Sequence, residues 1–349
     1  MFRMKSIVSG LAIIVLGIGL LGCPGGGGGG GGSTAAFAVS TTSADFGVVG
    51  IAYTSTLSAT GGTAPFTWAT GSGLPTGLFL DASTGVVSGT PTVVGNSTVV
   101  FTVTDSTGQT ATGSVLFAIH PKTDLVSIDN SSPPNPGGAA SSSPSISNDG
   151  RFVAFASSAT LIPGVSGSQI YIHDWQTNQT FLVSQNAVGN AGDGASSQPT
   201  ISTDGSFVAF TSLATNLAAT PGGSGTQIFL RDTQTNTTSL VSRVGLGNAG
   251  DGASSQPTIS TDGSFVAFTS AASNLAPIPG ASGTQIFLRD TQTNTTSLVS
   301  QTAVGGNAGN GASSQPTMSA NGGFVAFSSF STNLGAAGVN QQIYVRALP

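Results

Sequence analysis

Three short phrases recur from Thr123 onward, and their order constrains the fold more than any other feature. The longest, Pro-x-(Ile/Met)-Ser-x-(Asp/Asn)-Gly-x-Phe-Val-Ala-Phe, starts at Pro144, Pro199, Pro257 and Pro316, at spacings of 55, 58 and 59 residues. A second, Gln-Ile-(Tyr/Phe)-(Ile/Leu/Val), starts at Gln169, Gln227, Gln285 and Gln342, and a third, Leu-Val-Ser, at Leu125, Leu182, Leu240 and Leu298. The third phrase thus precedes the first copy of the other two. A repeat array that closes into a ring uses such an offset, because an N-terminal strand can complete an otherwise unfinished last unit. The expectation is that Leu125-Val126-Ser127 pairs with Gln342 to Arg346 within one chain.

Each repeat reads as four antiparallel strands. In the second, Pro199 to Ser202 is a short strand, Thr203-Asp204-Gly205 a turn, Phe207 to Ser212 the second strand, Gln227 to Asp232 the third and Thr238 to Ser242 the fourth. Asp-Gly supplies the positive φ angles of a tight hairpin, and Thr233 to Thr237 makes a similarly short connection. Four antiparallel strands are one propeller blade. Antiparallel order puts the short turns on one face and the long segments, such as 213–226 and 244–256, on the other. A binding face built of long polar loops on a rigid scaffold belongs on that second side. Its candidate ligand groups are Asn190 and Asp193, Asn248 and Asp251, and Asn307 and Asn310. Small side chains at Ala154, Ala209, Ala267 and Ala326 suit the narrow centre of a closed, monomeric four-blade ring.

Composition agrees with an all-β chain. Charged residues make up 6% of the sequence, and all 13 acids are Asp. With no Glu and with Lys only at Lys5 and Lys122, the residues that favour helices are scarce, whereas Thr, Val and Phe favour strands. Beyond the leader, six basic residues face 13 acidic ones, which argues against a nucleic-acid partner.

Residues 1–22 read as a signal peptide. Arg3 and Lys5 precede the apolar run 7–21, too short for a bilayer span but suited to a signal core. Leu20-Leu21-Gly22-Cys23 resembles the bacterial lipobox, which implies lipidation of Cys23, a lipid anchor, and a place in the cell envelope. Pro24, where inner-membrane lipoproteins often carry Asp, favours the outer membrane or cell surface by that resemblance. Cys23 is the only cysteine, so no disulfide forms within the chain. Residues 23–34 are the lipidated cysteine and a tether whose eight glycines reach about 15 Å.

Residues 35–120 change pattern. Gly61-Gly62-Thr63-Ala64-Pro65-Phe66-Thr67-Trp68, Leu74-Pro75-x-Gly77-Leu78-x-Leu80-Asp81, Thr84-Gly85-Val86-Val87-Ser88-Gly89-Thr90-Pro91 and Thr104-Asp105-Ser106-x-Gly108 together resemble the Ig-like domains of bacterial surface proteins. Trp68 reads as core. Asp81 and Asp105 lie beside Ser, Thr or Gly in turns, where Asp caps its own backbone. Calcium ligation, as in cadherin-like relatives, is the other reading, but it needs six to eight oxygens and no acidic cluster accompanies these residues. In residues 121–349 the phrases Ser-x-Asp-Gly-x-Phe-Val-Ala-Phe and Gln-Ile-Phe-Leu-Arg-Asp resemble the WD40-like repeats of TolB-type propellers. TolB itself pairs its propeller with a different N-terminal domain. The expected architecture is an all-β chain: an Ig-like β-sandwich followed by a four-blade propeller.

No catalytic residue, metal site or cofactor is identified. His173 stands where the other repeats have Arg231, Arg289 and Arg346 and reads as a strand-edge polar residue; His120 has no evident partner nucleophile. Asp149, Asp204 and Asp262 repeat in equivalent turns, as structure rather than chemistry requires. The resulting expectation is a non-catalytic surface recognition or adhesion protein with a protein or glycan ligand. The alternative is a carbohydrate-active propeller enzyme whose carboxylates converge.

Overall fold

The structure, a computed structural model, describes residues 36–71, 73–218, 223–278, 280–303, 306–335 and 340–348. The leader, Cys23 and the glycine tether lie outside the described residues. The described residues contain strands, turns and bends and no helix. Two compact units divide between Asp124 and Leu125.

The first unit holds nine strands, β1 (Ala38–Val39), β2 (Gly47–Val48), β3 (Tyr53–Thr56), β4 (Ala59–Thr60), β5 (Thr67–Thr70), β6 (Leu78–Leu80), β7 (Val86–Gly89), β8 (Gly95–Thr104) and β9 (Thr110–His120). They form sheets ordered β2-β9-β8-β5 and β3-β7-β6, with β1 and β4 as a separate pair. Alternation along β8 buries Val99, Phe101 and Val103, and β9 adds Val115, Phe117 and Ile119. Trp68, Leu78 and Val87 complete the same core from the other strands. Trp68 is therefore core, as its sequence context implies. Gly85 is needed there: its φ is +73°, and a Cβ would lie 2.8 Å from the indole nitrogen of Trp68.

The second unit contains the four repeats. The first blade is β10 (Ser141–Ile146), β11 (Phe152–Ser157), β12 (Gln169–Asp174) and β13 (Gln179–Leu182). The second is β14 (Ser196–Ile201), β15 (Phe207–Ser212), β16 (Gln227–Asp232) and β17 (Thr237–Leu240). The third is β18 (Ser254–Ile259), β19 (Phe265–Ser270), β20 (Gln285–Asp290) and β21 (Thr295–Leu298). The fourth blade has three strands among the described residues, β22 (Ser313–Met318), β23 (Phe324–Ser329) and β24 (Gln342–Ala347). Strands within each blade are antiparallel and joined in chain order.

Aromatic pairs mark the middle of each sheet. Phe210 opposes Phe229 in register, with stacked rings 5.9 Å apart; Phe155–Tyr171, Phe268–Phe287 and Phe327–Tyr344 repeat the arrangement. Successive blades pack face to face, so Ile170, Ile172 and Val183 of the first share a core with Val208, Phe210 and Phe229 of the second. The Asp-Gly turn works differently from its sequence reading. Only the glycine takes a positive φ (Gly205, 75°), while Asp204 accepts the Ser202 hydroxyl and the Ser206 amide. A Cβ on Gly205 would collide with the Phe152 ring of the preceding blade, so the turn glycine is also what lets neighbouring blades approach.

The closing strand is where the structure departs from expectation. Residues 125–127 form no strand, and β24 has β23 as its only strand partner among the described residues. Ile128 and Asn130 are held at the first blade. The Thr180 hydroxyl donates to the Ile128 carbonyl at 2.6 Å, and Asn130 exchanges two hydrogen bonds with the Thr180 backbone. Gln185 and Arg243 keep the same contact with the second and third blades, through Thr238 and Thr296, so the segment holds its place against the first blade without pairing with β24. Among the described residues the array is therefore open.

Candidate functional site

The long loops do gather on one face, and side chains clasp them together. Asp193, in the loop between the first two blades, accepts the Thr215 amide at 2.6 Å and the Thr215 hydroxyl at 2.7 Å from the β15–β16 loop. Asn216 completes the clasp by accepting the Asp193 amide and donating to the Ala191 carbonyl. Asp251 with Ser273 and Asn274, and Asn310 with Thr332 and Asn333, repeat it. Hydrogen bonds from the Thr215 hydroxyl and amide hold the Asp193 carboxyl below the usual carboxylate range, against a weaker opposing effect of burial. For Asp251 the Ser273 hydroxyl does the same, opposed by burial and aided by the Ser273 amide.

The six loop residues named from the sequence therefore divide into two groups. All are exposed. Asp193, Asp251 and Asn310 spend their side chains on the clasp. Asn190, Asn248 and Asn307 sit at the loop turns, where Asn190 accepts the Asn186 amide and Asn248 the Val244 amide through their carbonyls. Next to them Val188 is 81% and Leu246 74% exposed. The first two clasped pairs of loops thus present an amide group beside an apolar side chain.

A buried polar node fixes the base of each loop. The Ser242 hydroxyl donates to Gln227 Oε1 at 2.6 Å and accepts the Ile228 amide at 2.9 Å. Gln227 Nε2 donates to the Ser224, Gly250 and Gly252 carbonyls. Gln169 with Ser184, and Gln285 with Ser300, are equivalent. This is why Gln-Ile and Leu-Val-Ser repeat together: one supplies the amide, the other the hydroxyl.

Beside the first blade lies a cavity of about 1020 Å³, lined in part by Asp129, Asn130, Leu161, Phe181, Gln185 and Asn190. Of this lining, sequence reasoning singled out only Asn190 as a candidate ligand group. Asp129 is the carboxylate of this lining, and it is engaged by the Asn135 and Ser131 amides and the Ser131 hydroxyl, which hold its pKa down.

His173 is fully buried, with Nδ1 3.0 Å from the Thr180 hydroxyl. In the other blades Arg231 and Arg289 reach Thr238 and Thr296 from the same register position. His173 is thus the counterpart of those arginines. In the first unit Asp105 accepts hydrogen bonds from Thr107, Gln109 and Thr63, and Asp81 from Ser83 and Thr84, which is the turn-capping arrangement. Among the described residues there is no cluster of three metal-ligating side chains.

Solved structures to which the chain is similar include the "putative TolB from Agrobacterium tumefaciens", 16% identical over 72% of this chain and 71% of that chain, with a TM-score of 0.34. The oligogalacturonate lyase of Vibrio parahaemolyticus is 13% identical over 86% of this chain and 60% of that chain, with a TM-score of 0.37. The Niastella koreensis GH74 enzyme is 14% identical over 57% and 27%, with a TM-score of 0.33. These likenesses assign neither activity nor ligand. Among curated proteins none matches the chain. The chain is an all-β protein of an Ig-like domain followed by propeller blades, and its residues 33–120 match the family described as "Putative Ig domain".

Proposed function

We propose that the protein is a non-catalytic, lipid-anchored module of the cell envelope that recognises a glycan or protein through its long-loop face. The observation that carries this reading is the repeated clasp. It immobilises pairs of long loops and leaves Asn190 with Val188, and Asn248 with Leu246, pointing outward as equivalent contact groups. Rigid loops that expose amide and apolar groups bind without losing much conformational freedom. A hydrolase reading fits these carboxylates poorly. A glycosidase needs one carboxyl with a raised pKa, whereas hydrogen bonds hold Asp193 and Asp251 in the charged form. Localisation rests on the lipobox, with Cys23 as the acylated residue and an outer-membrane or surface position.

Two experiments test the reading. Cys23→Ser should release the chain from membranes and abolish palmitate incorporation; continued incorporation contradicts the anchor. Full-length protein in mild detergent should capture a ligand on glycan or envelope-protein arrays, with capture lost in Asn190→Ala/Asn248→Ala. Turnover of a captured glycan would favour the enzyme alternative.

A further inference from the structure

The two ends of the blade array carry the two halves of one missing interface. In each complete blade the strand-three Ile is fully buried (Ile170, Ile228 and Ile286, each 0% exposed), and the following Val of Leu-Val-Ser is 1% exposed (Val183, Val241, Val299). In the fourth blade the equivalent Ile343 is 76% and Val345 71% exposed. At the opposite end Val126 and Ser127 are only half-buried, whereas Ser184, Ser242 and Ser300 are 0% exposed. Gln342, counterpart of the buried Gln169, Gln227 and Gln285, is exposed.

The contacts between blades are mismatched in the same way. Phe152, Phe207 and Phe265 each lie against the turn glycine of the next blade, Gly205, Gly263 and Gly322. Phe324 is 52% exposed, and Gly150, with φ +78°, occupies the same turn of the first blade. Backbone hydrogen bonds run from the Asn148 amide to Thr203, from Thr203 to Thr261 and from Thr261 to Ala320, so the Asn148 carbonyl and the Ala320 amide are the ends of a continuing series. Gln256 and Gln315 amides donate to the side-chain oxygens of Gln198 and Gln256 respectively. On the first blade Ile146 is 61% exposed, while Ile201 at its position in the second is 8%.

We propose that a second copy of this chain completes the array, head to tail, at two identical junctions that close a ring of eight blades. In each junction residues 125–127 of one copy take, against β24 of the other, the place that Leu182-Val183-Ser184 takes against β12. By the register of the complete blades, the Val126 amide donates to the Ile343 carbonyl, and the Ser127 hydroxyl joins Gln342 and the Ile343 amide. Phe324 covers Gly150 of the other copy. The occupant is a second copy because each exposed group has its complement on the same chain, at an end that lies beside the first blade. Heterologous contacts of this kind close into rings when the rotation allows. Two arcs give eight blades, within the known range of four to eight, and three would exceed it.

Disulfide trapping tests the junction. In full-length protein carrying Cys23→Ser, Val126→Cys and Ile343→Cys, mild oxidation should yield a covalent two-chain species on a non-reducing gel. Val126 is half-buried and Ile343 exposed, so neither change opens a core. An intramolecular disulfide on a single chain overturns the proposal in favour of closure within one molecule. Absence of any disulfide, or a ladder of higher multiples, overturns the two-chain ring. Independently, Ile343→Asp should convert the sedimenting species from two chains to one, and an unchanged two-chain species would contradict the assignment of this edge.

Discussion

Phe229→Ala should destabilise the blade array by about 3–5 kcal/mol, the usual cost of emptying a fully buried aromatic site. Phe229 is 0% exposed, stacks on Phe210, and sits in the core shared by the first and second blades. Its loss removes a ring from the middle of the sheet and contacts from the neighbouring blade. The surrounding groups, Ile170, Val208 and Leu240, lie on strands whose ladders limit collapse into the space. Urea denaturation followed by circular dichroism measures the change. Phe181→Ala is the comparison: Phe181 is 50% exposed on β13, and its replacement should cost under about 1 kcal/mol. Equal effects at both positions would contradict the face-to-face packing described here.

Gln227→Leu should cost about 2–3 kcal/mol, although leucine is nearly as large and more apolar. The reason is polar satisfaction. Gln227 is 4% exposed and joins the Ser242 hydroxyl on one side to the Ser224 and Gly250 carbonyls on the other. Leucine would leave these buried partners short of hydrogen bonds, at roughly 1–3 kcal/mol for each group stranded. Ser242→Ala should be coupled to it, and a double-mutant cycle should give an interaction of about 1 kcal/mol or more. Additive effects would show that the two side chains act separately.

Much of this fold was legible because the repeats place the same chemistry at the same strand position. The Phe-Val-Ala-Phe and Gln-Ile phrases identified strands two and three, and Asp-Gly identified the turn between strands one and two. Other features were not legible for physical reasons. Gln198, Gln256 and Gln315 take φ values of 53° to 55° immediately before proline, at the register shift in each first strand. A residue before proline reads as extended. Ser143 takes the same conformation before Pro144 (φ 53°), so it belongs to the register shift of the first strand whatever the side chain; at Gln198 and Gln256 the side chains then accept hydrogen bonds from the next blade. The loop carboxylates were read as ligand groups because their partners lie 22 residues further on. The signal was present, however, in Thr215-Asn216-Leu217, Ser273-Asn274-Leu275 and Thr332-Asn333-Leu334, which recur in step with Asp193, Asp251 and Asn310.

Ring closure shows the limit most clearly. The offset of Leu125-Val126-Ser127 identifies the strand that suits β24, and the exposed Ile343 and Val345 agree. A repeat pattern does not distinguish a strand donated by the same molecule from one donated by another, since the register is identical. The distinction lies at β24 itself, which residues 125–127 do not pair with and where Ile343 and Val345 stay exposed.

The most direct test of the open, complementary array is the mass of the native particle. Sedimentation equilibrium of the full-length Cys23→Ser protein in density-matched detergent should give twice the mass of one chain at micromolar concentration. A single-chain mass across that range would contradict the account.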